Sequence, residues 1–373
     1  MKNKFVQDVL NHVNLTEAHT EIEKELNNHM DEMRESLAEF IPDKNKLESE
    51  VARRMGPADD VGKKLNDIHR PQWDWILILA VGPLLMSGLF MLTPYGWAPL
   101  HLLWTMLGVG LAAMLSFMKP TNWVKYSTIG FVATLVVTLS AFASSVWMDG
   151  QPYIYIDGLG IRIKIIDLSS ALFTLFAPGI LIEAGKSKSY GWLWMILISV
   201  PFWIFSKTGS LFPLVAYGAA VFGMMVAGQI SLVSTVVAIA FSVFSFSIWA
   251  ETAASQTVVM NSHTDLALRS VYQASSWLAF FTIACGTLLC LRLFTVSLKV
   301  KMTHAKIAVV GIASFITLNI LWGTLASFGY APVPVAGLNF PFVSYGGSLM
   351  VAQIAMIGVV LGFYRRKSLS ISN

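Results

Sequence analysis

Acid is the scarce ingredient of this sequence. After Asp74 the chain carries only six carboxylates, Asp149, Asp157, Asp167, Glu183, Glu251 and Asp265, in a composition that is 55% hydrophobic and 13% charged. With a mean hydropathy of +0.62, that balance excludes a soluble globular protein and makes the chain an integral membrane protein. Cysteine is nearly absent as well. Cys285 and Cys290 stand five apart in one apolar run, so they face different sides of a helix and suit neither a disulfide nor a metal site. Basic residues outside the N-terminal segment are scattered through short loops rather than massed on one face, which argues against a nucleic-acid partner. The N-terminus is charged and amphipathic and lacks the short apolar core of a cleavable signal peptide.

What charge there is collects at one end. Of 22 acidic residues 15 lie in the first 70 positions, as do 11 of the 26 basic ones, so residues 1–70 are expected to form a separate soluble domain and 71–373 the membrane domain. Residues 3–12 read as a short helix. Thr16 is placed to cap a long one, whose apolar positions Ile22, Leu26, Met30, Met33, Leu37 and Phe40 recur at helical spacing. Pro42-Asp43 breaks that helix, a third ends at Met55-Gly56, and Pro57-Ala58-Asp59 opens a fourth that runs to about His69. The spacing of His19, Ile22, Glu25-Leu26 and His29, followed by Ala52-Arg-Arg-Met55-Gly56-Pro57-Ala58-Asp59-Asp60-Val61-Gly62, resembles the helical prefix domain found in front of various bacterial permeases. The resemblance implies a cytoplasmic regulatory or interaction role with an unidentified cytoplasmic partner. His19 and His29 lie ten residues apart and do not share a helix face, so packing or solvation explains them better than metal ligation.

Beyond the linker Arg70-Pro71-Gln72, Trp73 and Trp75 mark a membrane interface, and apolar runs of about 20 residues follow one another to the end. Ten spans are expected, near 74–94, 98–118, 124–146, 166–184, 190–206, 210–228, 230–250, 271–292, 306–328 and 345–364. The fold class is therefore an all-α integral membrane protein, ten transmembrane helices preceded by a small soluble four-helix domain. With both termini cytoplasmic, the inner loops and tail hold Lys119, Lys125, Lys186, Lys188, Arg292, Lys299, Lys301, Lys306, Arg365, Arg366 and Lys367. The outer loops hold only Arg162, Lys164, Lys207 and Arg269, the asymmetry of a positive-inside topology. Period-two alternation at Tyr153-Ile-Tyr-Ile156 and Ile161-Arg-Ile-Lys164 around Asp157-Gly158 predicts a β-hairpin in one outer loop. Pro178 and Pro201 fall inside spans, where neighbouring helices tolerate them. Asp167 and Glu183 fall near span ends, within reach of water.

Two outer stretches carry the functional signal. The loop from Glu251 to Arg269 contains two of the six scarce carboxylates and the run His263-Thr264-Asp265, with Arg269 four residues on. The last outer loop, Pro332 to Ser348, has prolines and glycines that forbid regular helix, and it opens into the last span at Ser344-Tyr345-Gly346-Gly347-Ser348. Non-helical backbone at membrane depth must line a cavity or be buried in protein, and a helix N-terminus there suits an anionic group such as a diphosphate.

Pro334-x-x-Gly337-x-x-Phe-Pro341-Phe342-x-Ser344-Tyr345-Gly346-Gly347-Ser348, with Asn319 in the span before and Gly358 after, resembles the C-terminal signature of the shape, elongation, division and sporulation family, which includes FtsW, RodA and SpoVE. The resemblance covers about residues 73–367. It implies ten membrane helices and a peptidoglycan glycosyltransferase in the bacterial cytoplasmic membrane. Such an enzyme polymerises lipid II, an undecaprenyl-diphosphate-linked sugar, in partnership with a class B penicillin-binding protein. It singles out Asp265 as the catalytic carboxylate, a general base that takes the proton of the attacking sugar hydroxyl. Substrate binding falls to His263, Thr264, Arg269, Lys164, Pro341, Ser344, Tyr345, Gly346, Gly347 and Ser348. No protein metal site is expected, although a divalent cation is one way to offset the diphosphate charge, Arg269 and Lys164 being the other. His263 orients the carboxylate, contacts a sugar or merely caps loop backbone, and Asp265 by itself also reads as a cap for the next span.

The chain also departs from the family pattern. Gln273-Ala274-Ser275-Ser276 replaces an acidic Glu-Glu-Leu-Gly segment, Ser206-Lys-Thr-Gly-Ser210 replaces Pro-Asp-x-Gly-Thr, and Ile166-Asp167-Leu168-Ser169 stands near the usual Gln-Pro-Ser-Glu. Val335 and Ala336 stand where a Thr and a polar residue are common. Two alternatives therefore stay open beside the enzyme. One is a non-catalytic scaffold or regulator that binds a penicillin-binding protein. The other is a flippase for lipid-linked precursors, against which the spans lack the buried acids expected of a coupled carrier.

Overall fold

The computed structural model describes residues 2–143, 146–148, 151–156, 161–186, 191–228, 267–330, 340–344 and 347–369. The chain divides into two compact units, one formed by Met1–Trp73 with Val300–Met302 and Tyr364–Asn373, the other by Asp74–Lys299 and Thr303–Phe363.

Four α-helices shape the first unit: α1 (Lys2–Leu10), α2 (His19–Ala38), α3 (Lys44–Met55) and α4 (Ala58–His69). Their apolar stripes supply Val6, Val9, Ile22, Leu26, Met30, Leu37 and Val51 to the core. Phe40, expected on the same stripe, lies beyond the end of α2 and is 78% exposed. Thr16 does not cap α2. It begins a short 3-10 turn, Thr16–Ala18, and α2 starts at His19 with no side-chain cap. The next start follows the rule, since Asp43 accepts a hydrogen bond from the Asn45 amide at 2.9 Å. Gly56 closes α3 with φ of 79°, the region glycine adopts without penalty. Helices α1 and α4 approach so closely that a Cβ at Gly62 would lie 2.7 Å from His12 Cβ. Arg34 holds Glu48 through two bonds of 2.6 and 3.0 Å and Asp31 at 2.8 Å, which raises its pKa. Hydrogen bonds from Arg53 and Arg54 hold the Glu50 carboxyl down at about 2. His19 Nε2 lies 2.9 Å from the Val13 carbonyl and His29 is exposed, so the two histidines have separate surroundings.

Among the described residues the regular structure of the second unit is helical except for one small sheet. Its helices are α5 (Trp75–Leu92), α6 (Ala98–Phe117), α7 (Pro120–Ala141), α8 (Ile165–Lys186), α9 (Gly191–Lys207), α10 (Leu211–Ala227), α11 (Ala267–Ala274), α12 (Ser276–Lys299), α13 (Thr303–Ser327) and α14 (Gly347–Arg365). Among the described residues seven of them, α5 to α8 and α12 to α14, are long and apolar enough to cross a membrane. Helices α9 and α10 are apolar but only 17 residues long, or about 25 Å, the lower limit for a span. The expected span at 230–250 lies outside the described residues. The span expected at 271–292 begins instead at Ser276, because α11 stops at Ala274 and the Ser275 hydroxyl takes the Leu278 amide at 3.4 Å to open α12. Between α7 and α8 the strands β1 (Trp147–Met148), β2 (Gln151–Ile156) and β3 (Ile161–Lys164) form an antiparallel sheet. Tyr153 pairs with Lys164 and Tyr155 with Arg162, which is the hairpin that the alternation predicts.

Small residues and aromatic clusters hold these helices together, as lipid gives no apolar driving force between them. Phe173, Phe205 and Tyr217 join α8, α9 and α10 with ring centroids 6.1 to 6.2 Å apart, and the Tyr217 hydroxyl donates to the Ile198 carbonyl at 2.9 Å. Gly108 of α6 admits Ile354 of α14, and Gly358 lies on the Ala112 backbone with no room for a Cβ. Ser87 and Thr282 share a hydrogen bond of 2.8 Å between α5 and α12. The same pair of helices is tied by Arg292 Nε, which donates to both Asp74 carboxylate oxygens at 3.0 and 2.9 Å.

Candidate functional site

The described part of the site is the non-helical segment that leads into α14. Residues 340–344 make a tight turn in which the Val343 and Ser344 amides both donate to the Phe340 carbonyl, at 3.2 and 3.0 Å. The turn needs Phe342 at φ of 67°, a left-handed conformation that is a true outlier for a bulky side chain and that packing must hold in place. Phe340, Phe342, Val343 and Ser344 are all 3% exposed or less. Irregular backbone at this depth is thus buried in protein, as the bilayer demands.

Glycines make the slot. A Cβ at Gly323 of α13 would lie 3.1 Å from the Phe340 ring, and one at Gly286 of α12 would lie 3.8 Å from the ring tip. At Gly88 of α5 it would fall 2.8 Å from both the Val343 carbonyl and the His101 ring. Gly347, the first residue of α14, meets the Trp104 indole just as closely. Gly323 of α13 and Gly88 of α5 therefore have to be bare for the segment to seat.

Several buried polar atoms around it have no hydrogen-bond partner: Ser344 Oγ, Asn319 Oδ1 and Gln353 Nε2. Asn319 spends its amide on the Phe315 carbonyl at 2.7 Å and lies one turn from Gly323 on the same face of α13. Orphaned polar atoms inside a protein cost about 1–3 kcal/mol each. Ser344 stands three residues before Gly347, the first residue of α14, whose first-turn amides have no partner within the helix.

Of the residues singled out by the sequence, Pro341, Ser344, Gly347 and Ser348 fall together here. Asp265, His263, Thr264, Tyr345 and Gly346 lie outside the described residues. Arg269 is on the exposed face of α11, opposite the buried Ala267, Leu268 and Val271. Lys164 ends β3 and places its ammonium 3.0 Å from Asp167 in the first turn of α8. Asp167 is not open to water as its position near a span end suggested. It is 4% exposed and is neutralised by Lys164.

A second polar group escaped the sequence reading. Residues 206–210 join α9 to α10, with Ser206, Thr208 and Ser210 all at most 2% exposed. Thr208 and Ser210 share a bond of 2.9 Å, and Gln151 of β2 donates to Ser210 Oγ at 2.9 Å, pinning the sheet to that turn. Four polar residues within five positions were visible in the sequence, but there they register only as a missing carboxylate. Among the described residues no three His, Cys, Asp or Glu side chains gather as metal ligands.

The fold and this segment define a multi-pass membrane protein with a buried tight turn shortly before α14. Residues 276–368, about a quarter of the chain, match the model of the cell cycle protein family of FtsW, RodA and SpoVE. A curated relative, named probable peptidoglycan glycosyltransferase FtsW, from Helicobacter pylori, is 31% identical over 107 residues. That match covers 28% of this chain, and the chain spans 26% of that relative's length. The crystal structure of the rod shape determining protein RodA from Thermus thermophilus aligns with 79% of this chain and 97% of its own, at a TM-score of 0.60 and 18% identity. A structure titled for the coordination of polymerization and crosslinking by a peptidoglycan synthase complex reaches a TM-score of 0.63 at 18% identity, over 79% of this chain and 98% of its own. At that identity the likeness is one of fold.

Proposed function

We propose that the protein acts in peptidoglycan synthesis at the bacterial cytoplasmic membrane, as a glycosyltransferase that polymerises lipid II. The observation that carries this reading is the buried turn at 340–344, held in its glycine slot at the start of α14 inside the stretch that matches the family. A diphosphate leaving group is served there by the first-turn amides of α14, the Ser344 hydroxyl and the solvent-facing Arg269. A sugar hydroxyl attacks the anomeric carbon as undecaprenyl diphosphate departs, and the Asp265 carboxylate takes the hydroxyl proton. In this reading the loop of residues 251–266 faces the outside, both termini are cytoplasmic, and residues 1–70 meet a cytoplasmic partner. The relative named as a glycosyltransferase supports the chemistry. The synthase complex that couples polymerization to crosslinking supports a class B penicillin-binding protein as the membrane partner.

A second reading, a non-catalytic family member that binds such a partner, draws on the 206–210 turn. Its Thr208 and Ser210 hydroxyls bond one another, Gln151 Nε2 donates to Ser210 Oγ, and it holds no carboxylate. Purified full-length protein, alone and with a class B penicillin-binding protein, is incubated with lipid II and compared with Asp265→Asn. The polymerase reading expects glycan strands from the wild type and none from the variant. Absence of product with every partner would sink it in favour of the scaffold, while transfer of lipid II across vesicles without polymerisation would favour transport.

A further inference from the structure

Helices α7 and α8 are both long and apolar enough to cross a membrane, and the three-stranded sheet connects them. They pack through Phe131 on Phe173, ring centroids 4.9 Å apart, and through Trp123 on Phe176 at 5.5 Å. Beside these contacts two stripes face each other at four-residue spacing, Gly130, Thr134 and Thr138 on α7 against Phe176, Leu172 and Leu168 on α8. The stripes differ in size. They meet at one end, where a Cβ at Gly130 would fall 2.6 Å from the Phe176 ring, and they part toward the sheet. There the Thr134 and Thr138 hydroxyls donate to the Gly130 and Thr134 carbonyls, each at 2.7 Å, so their polar atoms are spent on their own helix. The gap left against Leu168 and Leu172 is a groove of about 300 Å³ that reaches Ile165 at the start of α8.

Lining and size decide what fills it. Apart from the two threonines, whose hydroxyls are already bonded, the wall is hydrocarbon, so water finds no partners there. From Ile165 to Phe176 the groove runs about 16 Å along α8, the depth of one leaflet of a hydrocarbon core about 30 Å thick. Spread over that length, its volume leaves a section of roughly 20 Å². A transmembrane helix, about 10–12 Å across, is too wide to enter; a single extended hydrocarbon chain is not. The sheet end of the groove also lies at headgroup level. Trp147 and Tyr155 of that sheet are 46% and 40% exposed, and amphipathic aromatic rings collect at the membrane interface. Trp147 meets Phe142, the residue just past α7, edge to face at 5.9 Å.

We infer that this groove is a lipid-binding site that takes one acyl chain of a membrane phospholipid, with the headgroup at the sheet and the chain end at Phe176. A polyprenyl chain is far longer than one leaflet is deep and would overrun the stop that Phe176 makes on Gly130. Entry brings no hydrophobic gain, because the bilayer is as apolar as the groove; the chain is held by close contact with both walls, and it fills a gap that α7 and α8 leave between themselves. The test uses full-length protein in nanodiscs of phosphatidylethanolamine and phosphatidylglycerol, with a trace of phosphatidylethanolamine bearing a diazirine at one acyl terminus. After photolysis the labelled residues are mapped by mass spectrometry. Ile129 is the reference, since it adjoins Gly130 in depth but is 63% exposed to lipid. Labelling of Phe176 is expected to exceed that of Ile129 by about tenfold or more, equivalent to about 1.4 kcal/mol of preference for the groove. Thr134→Leu and Leu172→Trp, which fill the groove, are expected to remove that excess and leave Ile129 unchanged, whereas Val136→Leu on the exposed face of α7 alters neither. Should a filled groove fail to fold, the wild-type ratio decides alone. Equal labelling of Phe176 and Ile129, an excess that survives both filling variants in folded protein, or displacement of the probe by an equimolar polyprenyl phosphate would overturn the inference.

Discussion

Replacing Asp74 by asparagine is expected to cost most of the stability that a single surface-remote change can cost in this fold. The Asp74 side chain is fully buried, Arg292 is 15% exposed, and both carboxylate oxygens lie within 3.0 Å of the guanidinium Nε. Removing one partner of such a pair costs about 3–5 kcal/mol, and the partial exposure of Arg292 puts the expected loss near the lower figure. Asp74 has a second task, accepting the Leu77 amide at 3.1 Å as the cap of α5. Asparagine keeps that cap and alanine loses it, so Asp74→Ala should cost about 1 kcal/mol more than Asp74→Asn. The double variant Asp74→Asn with Arg292→Met removes both charges and should return to within about 1 kcal/mol of wild type. Unfolding in mixed micelles, followed through the fluorescence of the chain's 12 tryptophans, separates the four proteins. The losses should also change little with salt, since a buried pair is poorly screened. Single variants within about 1 kcal/mol of wild type, or a double variant as unstable as the singles, would refute the reasoning.

Phe342 yields an order of stability that side-chain size alone would not predict. Phe342→Ala keeps the left-handed backbone and empties a fully packed slot, at about 3–5 kcal/mol, whereas Phe342→Gly relieves the conformation and should be the more stable of the two by about 1 kcal/mol in the same unfolding assay. His69 makes the first unit sensitive to acid. Burial lowers its pKa below the ordinary 6.5, with Glu21 and Glu25 opposing and Lys301 reinforcing the shift. The unfolded state then takes up the proton first, so stability is full above pH 6.5 and declines as pH falls from there through the folded value. Hydrogen exchange in α2 and at 364–369 should quicken over that interval in wild type, with the acid dependence reduced in His69→Phe.

The parts legible in the sequence were those with a local cause. Among the described residues apolar runs of about 20 residues marked most of the long apolar helices to within a few positions, period-two alternation marked β2 and β3, and Gly56 marked a helix end, because each depends only on residues close in the chain. The apolar run at 271–292 misled because hydropathy does not register the hydroxyl of Ser275 that divides α11 from α12. Thr16 misled because a 3-10 turn can use the residue that would otherwise cap. At the site, the proline and glycine spacing showed where helix must stop. Nothing in Phe342 announces a positive φ, which is imposed by the slot between Gly286, Gly323 and Gly88. Long-range partners were invisible for the same reason. Asp74 meets Arg292 across 218 positions and Glu17 meets Arg366 across 349, and charge counting, which read Arg292 and Arg366 as topology signals, contains no information about pairing.

The scarcity of acid in the membrane unit acquires a sharper meaning once its pairs are known. The described carboxylates of that unit are Asp74, Asp167 and Glu183, and each has a cation within 3.5 Å: Arg292, Lys164 and Lys186. A general base has to be within reach of the proton it removes and free to change protonation state at modest cost. Asp74 and Asp167 are buried and locked in ion pairs, and Glu183 sits with Lys186 at the opposite end of α8 from the sheet. None of the three is placed to assist a sugar hydroxyl beside residues 340–348. The proposed chemistry therefore rests on the remaining acids, Asp149, Asp157, Glu251 and Asp265, and of these only Asp265 stands in the His-Thr-Asp run, two positions in sequence ahead of α11, which carries Arg269. Among the described residues of the membrane unit no carboxylate is left free of an ion pair to take over in Asp265→Asn, so that substitution tests the enzyme reading against the scaffold.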